Sequence, residues 1–242
     1  MLPFNIASHI THFIEHIYDK HFYYRVFHHP VLRKIIQNEF HKLYYYQPER
    51  TWRNTYWLNT QTLKVPFDLW IYQEIISEVK PDIIIETGTA YGGSALYMAT
   101  IFDALGKGKV ITIDIVKNKQ RPRHKRIHYL HGSSVSEAIV RKVRSLIHKN
   151  DTVMVVLDSN HTREHVLNEL RLYHSFVTKH SYLIVEDTHL HGFPVKPNFP
   201  REGGPMEAVK DFLEEHNDFS TDTTREKFFL TFFPGGFLKK TI

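Results

Sequence analysis

Residues 83–94 read Ile-Ile-Ile-Glu-Thr-Gly-Thr-Ala-Tyr-Gly-Gly-Ser, and this stretch decides the fold of the chain. Three consecutive isoleucines predict a strand that is buried on both faces, and the glycines after them predict a sharp turn into a helix. Gly88 and Gly92 let the backbone approach a ligand closely, and the first N–H groups of the helix point toward such a ligand. We therefore predict a ligand site at the carboxyl end of this strand.

The same alternation of strand and helix continues along the chain. A helix is predicted to begin at Pro66, ahead of the first strand. Further apolar runs that predict strands lie at 110–113, 127–130, 153–157 and 182–185, and a weakly alternating run at 228–233 predicts a last one. Continuous apolar strands separated by helices are typical of a parallel sheet covered on both faces. We predict a doubly wound, mostly parallel α/β fold.

The first 65 residues differ from the rest, because they are rich in Phe, Tyr, His and Arg and contain no glycine. Apolar residues at helical spacing predict two amphipathic helices here, at 6–17 and at 31–43. We interpret residues 1–65 as a helical, aromatic- and His-rich N-terminal extension that packs on the core or on a second subunit. We expect it to form a homo-oligomer, and we expect residues 66–242 to form one α/β domain.

The composition excludes several classes of protein. The chain has 242 residues and no cysteine, so disulfides, thiolate metal sites and cysteine nucleophiles are excluded. No apolar run is long enough to cross a membrane and no export signal is evident, so we expect a cytoplasmic protein. The formal charge of +5 favours acidic partners. The basic run at 117–126 is interpreted as a solvated loop, and we do not expect nucleic acid as a partner.

Two acidic residues indicate what the glycine turn binds. Asp114 ends the second strand, about 20 residues after the turn, where a carboxylate can hold ribose hydroxyls. This pattern indicates a nucleoside cofactor, either NAD or S-adenosylmethionine. Glu86 favours the second, because a carboxylate beside the turn repels a pyrophosphate and suits a sulfonium or ammonium group. The alternative is a glycine turn that serves only the packing of helix on strand.

Three carboxylates follow two neighbouring strands at the same edge of the predicted sheet. Asp158 ends the fourth strand, and Glu186 and Asp187 end the fifth. Oxygen ligands without cysteine suit Mg²⁺ or Mn²⁺, although these acids could instead be polar caps at strand ends. His161 lies three residues after Asp158, where a neutral imidazole could act as general base, or could face solvent. We predict Asp158 and His161 as the catalytic pair.

The chain resembles the cephalosporin hydroxylase/rhamnosyl O-methyltransferase family from about Trp57 to Leu238. Six blocks in the same order carry the resemblance: residues 68–74, 84–95, 132–134, 157–161, 185–188 and 231–238. The resemblance implies the class I methyltransferase fold, with a seven-stranded sheet. It also implies Mg²⁺-assisted transfer of a methyl group from S-adenosylmethionine to a hydroxyl, with a sugar as the expected acceptor.

The resemblance also implies roles for individual residues. Asp158, Glu186 and Asp187 are expected to bind the metal. The expected cofactor contacts are Glu86, Gly88, Thr89, Ala90, Gly92, Ser94, Asp114, Ser133, Ser134 and Asp158. Aromatic residues could line the acceptor pocket, with Trp52, Trp57, Tyr91 and His189 as candidates. Two other functions remain open at this point: a non-catalytic subunit that binds the cofactor or its product, and an NAD-dependent oxidoreductase.

Overall fold

The computed structural model describes residues 28–195 and 202–242. The helices are α1 (Pro30–Tyr46), α2 (Pro66–Val79), α3 (Gly93–Leu105), α4 (Glu137–Ser145), α5 (Arg163–Tyr173) and α6 (Pro205–Glu215). The strands are β1 (Tyr56–Trp57), β2 (Thr60–Gln61), β3 (Ile83–Thr87), β4 (Lys109–Asp114), β5 (Ile127–His131), β6 (Val153–Leu157), β7 (Tyr182–Val185), β8 (Phe219–Thr221) and β9 (Phe237–Lys240). The helix expected at 6–17 lies outside the described residues.

Seven strands form one sheet in the order β5-β4-β3-β6-β7-β9-β8. The five strands from β3 to β7 are parallel, while β9 runs antiparallel to both β7 and β8. The strand order reverses between β3 and β6, so the carboxyl ends of these two strands border the crevice where ligands bind in such sheets. The predicted doubly wound, mostly parallel seven-stranded fold is confirmed.

The last strand is not where the sequence predicted it. Residues 228–233 form a turn and loop, and the final strands are β8 and β9 instead. Within the loop, Phe232 donates its backbone N–H to the Asp68 carboxylate and Phe233 donates to the Thr231 hydroxyl. Leu230, Phe232 and Phe233 are buried, while Phe229 is exposed. This segment is a loop tied to α2, because side chains rather than a neighbouring strand accept its backbone hydrogen bonds.

Each central strand is apolar throughout because both faces of the sheet are covered. Ile83 and Ile85 belong to a core on one face with α4, α5 and α6. Ile84, between them, belongs to the core on the other face with α2 and α3. Full burial of an isoleucine contributes about 1.5–3 kcal/mol. The strands are therefore held rigidly, and so are the side chains at their carboxyl ends.

The described part of the extension packs on the second of these cores. Helix α1 corresponds to the helix predicted at 31–43, and its buried His41 stacks on His189 and Phe232. The β1–β2 hairpin lies against the start of α3, where a side chain on Gly93 would come within 2.3 Å of the Gln61 carbonyl oxygen. The extension thus reaches the carboxyl edge of the sheet, although the boundary at residue 65 stays a prediction.

Among the described residues, no helix is both long and apolar enough to cross a membrane. The cytoplasmic location stays a prediction.

Candidate active site at the carboxyl edge of the sheet

The glycine turn brings the ends of β3 and β6 together. Gly88 has φ +85°, and a Cβ atom there would lie 1.8 Å from the Asp158 backbone oxygen. Gly92 has φ +84° at the N-terminus of α3. Only glycine adopts such a conformation at so close an approach without strain. The turn therefore positions Asp158 as well as any ligand.

A cavity of about 350 Å³ lies over this turn. Six of the predicted cofactor residues line it: Gly88, Ala90, Asp114, Ser133, Ser134 and Asp158. Asp114 accepts hydrogen bonds from the Ala90 N–H at 2.9 Å and the Val116 N–H at 2.8 Å. Arg121 also donates to this carboxylate, with its Nη2 at 2.7 Å. The carboxylate is thereby held at the cavity wall.

The other four predicted cofactor residues do not line this cavity. Glu86 is fully buried beneath the turn and accepts hydrogen bonds from the Ser94 and Thr112 hydroxyls. Thr89 is buried beside them, with its hydroxyl 2.7 Å from that of Thr112. Gly92 lies against Pro122 and Tyr129. Burial raises the pKa of Glu86 to about 7, against the two hydroxyl hydrogen bonds that lower it.

The basic run at 117–126 is partly internal. Arg121 pairs with Asp114, and its Nε donates to the Ala90 backbone oxygen at 2.9 Å. Arg126 and His124 both contact the Asp103 carboxylate, at 2.7 and 2.9 Å. Two of its arginines therefore form ion pairs within the fold, and Arg121 holds Asp114 at the wall of the cavity. Spacing alone carries no signal for this, which is why Arg121 was missed.

A second cavity, of about 310 Å³, adjoins the first and shares Ala90, Asp158 and Ser159 with it. Tyr45 and Trp52 line it with their rings stacked, the centroids 5.4 Å apart. Of the four aromatic candidates, Trp52 and His189 line this cavity. The Trp57 indole instead donates to Thr100 at 3.1 Å, and Tyr91 is exposed.

One cluster of metal-ligating side chains lies where the two cavities meet. Among the described residues, Asp158, His161 and Asp187 have ligand atoms within 4.8 Å of one another. His161 Nε2 lies 3.3 Å from an Asp187 carboxylate oxygen. Two carboxylates and an imidazole suit Mg²⁺ or Mn²⁺, so the residues present fit a divalent cation.

The structure places Glu186 outside that cluster. Its two carboxylate oxygens accept hydrogen bonds from Tyr72, at 2.7 Å, and from the Lys64 ammonium. Lys64 also pairs with Asp158 and is almost fully buried. Burial lowers the pKa of Lys64, but the charges of Asp158 and Glu186 raise it by more, so it remains an ammonium. No motif marks a single lysine between Leu63 and Val65, and sequence reasoning missed it.

Comparison with known proteins agrees with this architecture. Residues 49–241 match the family described as Rhamnosyl O-methyltransferase/CmcI. A Rhamnosyl O-methyltransferase of Mycobacterium bovis (strain BCG / Pasteur 1173P2) is 38% identical over 212 residues, which cover 84% of this chain and 84% of that protein.

Two solved structures of CmcI share the fold. The apo-structure has a TM-score of 0.62 at 19% identity and covers 78% of this chain and 77% of its own. A structure with Mg and SAM has a TM-score of 0.60 at 17% identity and covers 78% of each chain. The predicted resemblance is confirmed, and the match begins at residue 49 rather than at about Trp57. The chain belongs to the Rhamnosyl O-methyltransferase/CmcI family and is an S-adenosylmethionine-dependent O-methyltransferase.

Proposed function

We propose that this protein methylates a hydroxyl of a sugar, carried on a glycan or a glycosylated small molecule, with a divalent cation bound beside the acceptor. The observation that carries the proposal is the pair of adjoining cavities that share Asp158. The first cavity contains Asp114, an acid placed to bind ribose hydroxyls. The second cavity is lined by the stacked rings of Tyr45 and Trp52. The relative from Mycobacterium bovis, named for its action on rhamnosyl groups, supports a sugar as the acceptor.

The cofactor occupies the 350 Å³ cavity in this proposal. Asp114 accepts from the ribose hydroxyls, because its carboxylate is held at the wall by Arg121 and two backbone N–H groups. Ser133 and Ser134, which also line this cavity, contact the adenine. Gly88 and Ala90 approach the methionine part. Glu86, Thr89, Gly92 and Ser94 support the turn from below rather than contacting the adenosine.

The acceptor sugar occupies the 310 Å³ cavity. Tyr45 and Trp52 present an aromatic wall, and Arg53 lies over the Trp52 ring at 4.8 Å. The C–H face of a sugar ring packs well on an indole, while its hydroxyls need polar partners elsewhere in the cavity. Those partners are His161 and Asp187, which line the same cavity.

Asp158, Glu186 and Asp187 would hold Mg²⁺ in this proposal, with Mn²⁺ as its substitute. The cation, when bound, lowers the pKa of an alcohol that it contacts. His161 accepts the proton of the acceptor hydroxyl, and Asp187 orients the imidazole. The acceptor oxygen forms a bond to the methyl carbon as the carbon–sulfur bond breaks, leaving S-adenosylhomocysteine. Proximity of the two cavities supplies much of the rate.

Two measurements test the proposal. Calorimetric titration with S-adenosylhomocysteine should show micromolar binding, and binding in Mg²⁺ and in EDTA should be similar, because the cofactor cavity lies beside the cation cluster. Incubation with S-adenosylmethionine, Mg²⁺ and a panel of rhamnosides should then yield a product heavier by one methylene group. Cofactor binding without methylation of any sugar acceptor would favour a non-catalytic subunit, and absence of cofactor binding would contradict the proposal altogether.

Homo-oligomerisation through the extension is also part of the proposal. Helix α1 packs with one side on the core and turns a broad apolar side outward. Its exposed members are Val31, Ile35, Ile36, Phe40 and Leu43.

No nucleic-acid partner is proposed, because Arg121 and Arg126 of the basic run form internal ion pairs.

A further inference from the structure

A hydrogen-bond network of four side chains forms part of the wall of the 350 Å³ cavity. Ser134, Ser159 and His165 line the cavity, and Glu169 lies behind them on α5, fully buried. We infer that Glu169, acting through Ser159, fixes the hydrogen of the His165 ring, so that His165 accepts a hydrogen bond from the 6-amino group of the cofactor's adenine. The inference rests on the proposed function, because that function places the adenine beside Ser134.

One face of α5 holds this network in place. His165, Glu169 and Tyr173 are spaced by four residues, so they follow one another along the same side of the helix. The Tyr173 hydroxyl donates to the Ser134 backbone oxygen at 2.8 Å and ties the loop after β5 to the helix. Glu169 and Tyr173 are both 0% exposed. The network is therefore anchored by buried groups rather than by mobile surface side chains.

The direction of each hydrogen bond follows from the acid at the end of the network. The Ser159 hydroxyl donates to Glu169 Oε1 at 2.7 Å. A carboxylate can only accept and a serine hydroxyl has a single hydrogen, so Ser159 has none left to donate to His165. His165 Nε2 lies 3.0 Å from the Ser159 oxygen and 3.5 Å from the same Glu169 oxygen. The Nε2 atom therefore carries the ring hydrogen and donates it to Ser159.

This arrangement leaves one acceptor and one donor for a ligand. With its hydrogen on Nε2, the neutral imidazole has an unprotonated Nδ1, which accepts hydrogen bonds. Within residues 28–195 and 202–242, the hydrogen bonds of the His165 ring all involve Nε2. Ser134 Oγ lies 3.3 Å from that Nε2 and accepts from it, so the hydrogen of the Ser134 hydroxyl remains available to a ligand.

Adenine presents the complementary pair of groups. Its 6-amino group donates, and an adjacent ring nitrogen accepts. Hypoxanthine has an oxygen in place of that amino group, and this oxygen would meet the Nδ1 lone pair of His165 with no hydrogen between them. Sites that pair with a polar group reject analogues that lack it, because their own buried group is left without a partner. The network should therefore distinguish the two bases.

The test is calorimetric titration of the full chain with S-adenosylhomocysteine and with S-inosylhomocysteine, the analogue in which hypoxanthine replaces adenine. We expect wild type to bind the adenine compound at least about 30-fold more tightly than the hypoxanthine compound. His165→Leu removes the acceptor, so it should lower this ratio to about threefold or less, mainly by weakening binding of the adenine compound.

Glu169→Gln tests whether Glu169 is the positioning residue. Glutamine has the shape of glutamate but can donate as well as accept, so Ser159 and His165 are no longer held in one hydrogen-bond direction. We expect the ratio of the two affinities to fall to about fivefold or less. Glu164→Gln, at an exposed position on the same helix, should keep the wild-type ratio. A role of Glu169 in packing alone would weaken both compounds equally and leave the ratio unchanged.

The possible failures are distinguishable. If wild type binds S-adenosylhomocysteine but prefers it by less than about threefold, the cofactor assignment stands and the inference is overturned. A wild-type ratio retained in His165→Leu also overturns it, and one retained in Glu169→Gln removes Glu169 from the role assigned here. Binding of neither compound by wild type contradicts the proposed function and the inference with it. The wild-type comparison needs no substitution, and thermal unfolding establishes that each variant is folded before titration.

Discussion

At the scale of single residues, Glu86 beneath the glycine turn makes the stability of the protein depend on pH. Its pKa is raised to about 7 by burial. An acid whose pKa is higher in the folded chain than in the unfolded chain stabilises the fold below its unfolded pKa, and this contribution is lost as pH rises through the folded pKa. As the pH rises from 4.5, the ordinary pKa of a glutamate, to about 7, the contribution of Glu86 to stability is therefore progressively lost.

The Glu86→Gln variant stays neutral and should lose this part of the pH dependence. Between pH 5 and pH 8, the free energy of unfolding of wild type should fall by up to about 3 kcal/mol more than that of the variant. Urea unfolding at both pH values measures the difference. Parallel curves for the two proteins would mean that Glu86 is ionised at both pH values and would contradict the prediction.

In the proposed mechanism, His161 accepts the proton of the acceptor hydroxyl. Replacement by glutamine keeps a polar group beside Asp187 but removes the base. We expect kcat for methyl transfer to fall by about 100-fold or more, with binding of S-adenosylhomocysteine unchanged. His148→Gln is a suitable control, because its side chain is exposed and pairs with Asp151, away from the site. Equal loss of activity in both variants, or none in either, would remove His161 from the mechanism.

The residues of the site differ in how far the sequence could predict them. Asp158 and Asp187 follow apolar strands of a parallel sheet, and such positions always meet at one edge. Lys64 and Arg121 carry no such signal, since a lysine before a helix and an arginine in a loop reach the site only through the tertiary fold. Glu186 shows the same limit: its position after β7 was predicted, but its partners Tyr72 and Lys64 were not.

At the scale of elements, the β3–α3 turn depends on glycine at one position far more than at others. Gly88→Ala combines φ +85° with a Cβ atom 1.8 Å from the Asp158 backbone oxygen, so β3 and β6 must separate. Gly106→Ala is a matched control, because Gly106 has φ +75° but nothing within 4 Å of the added atom. We expect Gly106→Ala to lower stability by about 1 kcal/mol, the cost of the left-handed conformation alone.

Gly88→Ala should lower stability by about 3 kcal/mol or more and abolish binding of S-adenosylhomocysteine, because the turn forms a wall of the cofactor cavity. Thermal unfolding and calorimetry of both variants measure these effects. A Gly88→Ala protein that resembles Gly106→Ala in both measurements would show that the turn adjusts without affecting the cavity.

Strands that are buried on both faces could be predicted from the sequence. Segments whose backbone is hydrogen-bonded to distant side chains could not. Ile83–Thr87 and Val153–Leu157 are buried on both faces, and their apolar runs match the observed strands. Residues 228–233 carry a weak alternation that resembles a strand, yet Asp68 and Thr231 bind the backbone N–H groups of this run. Periodicity reports which side chains are buried, but the partner of the backbone depends on residues far away in sequence.

At the scale of the whole molecule, the extension and the α/β domain build the proposed acceptor cavity together. Trp52 comes from the extension and lines this cavity together with the acids of the sheet edge. Trp52→Ala should raise KM for the sugar acceptor by about five- to tenfold while leaving KM for S-adenosylmethionine unchanged. Trp70→Ala is the control, since Trp70 is exposed on α2 and contacts Glu74. A change in both KM values would indicate a general loss of structure instead.

The outward side of α1 bears on the assembly of the molecule. Among the described residues, Ile35 and Leu43 are more than half exposed on a helix whose opposite side packs on the core. Two copies that bury this face against each other would form an isologous contact, in which the same apolar side chains serve both subunits. Burial of several such side chains favours association by the hydrophobic effect.

The double variant Ile35→Glu with Leu43→Glu places charge on this face and leaves the core side of α1 untouched. By light scattering after size exclusion, wild type should have a multiple of the 28.7 kDa chain mass, and the double variant should have the chain mass itself. Lys34→Glu changes charge on the same helix without removing an apolar side chain, so it should keep the wild-type mass. Because Tyr45 lies on this helix and lines the acceptor cavity, dissociation should also weaken acceptor binding. A wild type of single-chain mass would mean that the extension serves the acceptor cavity alone.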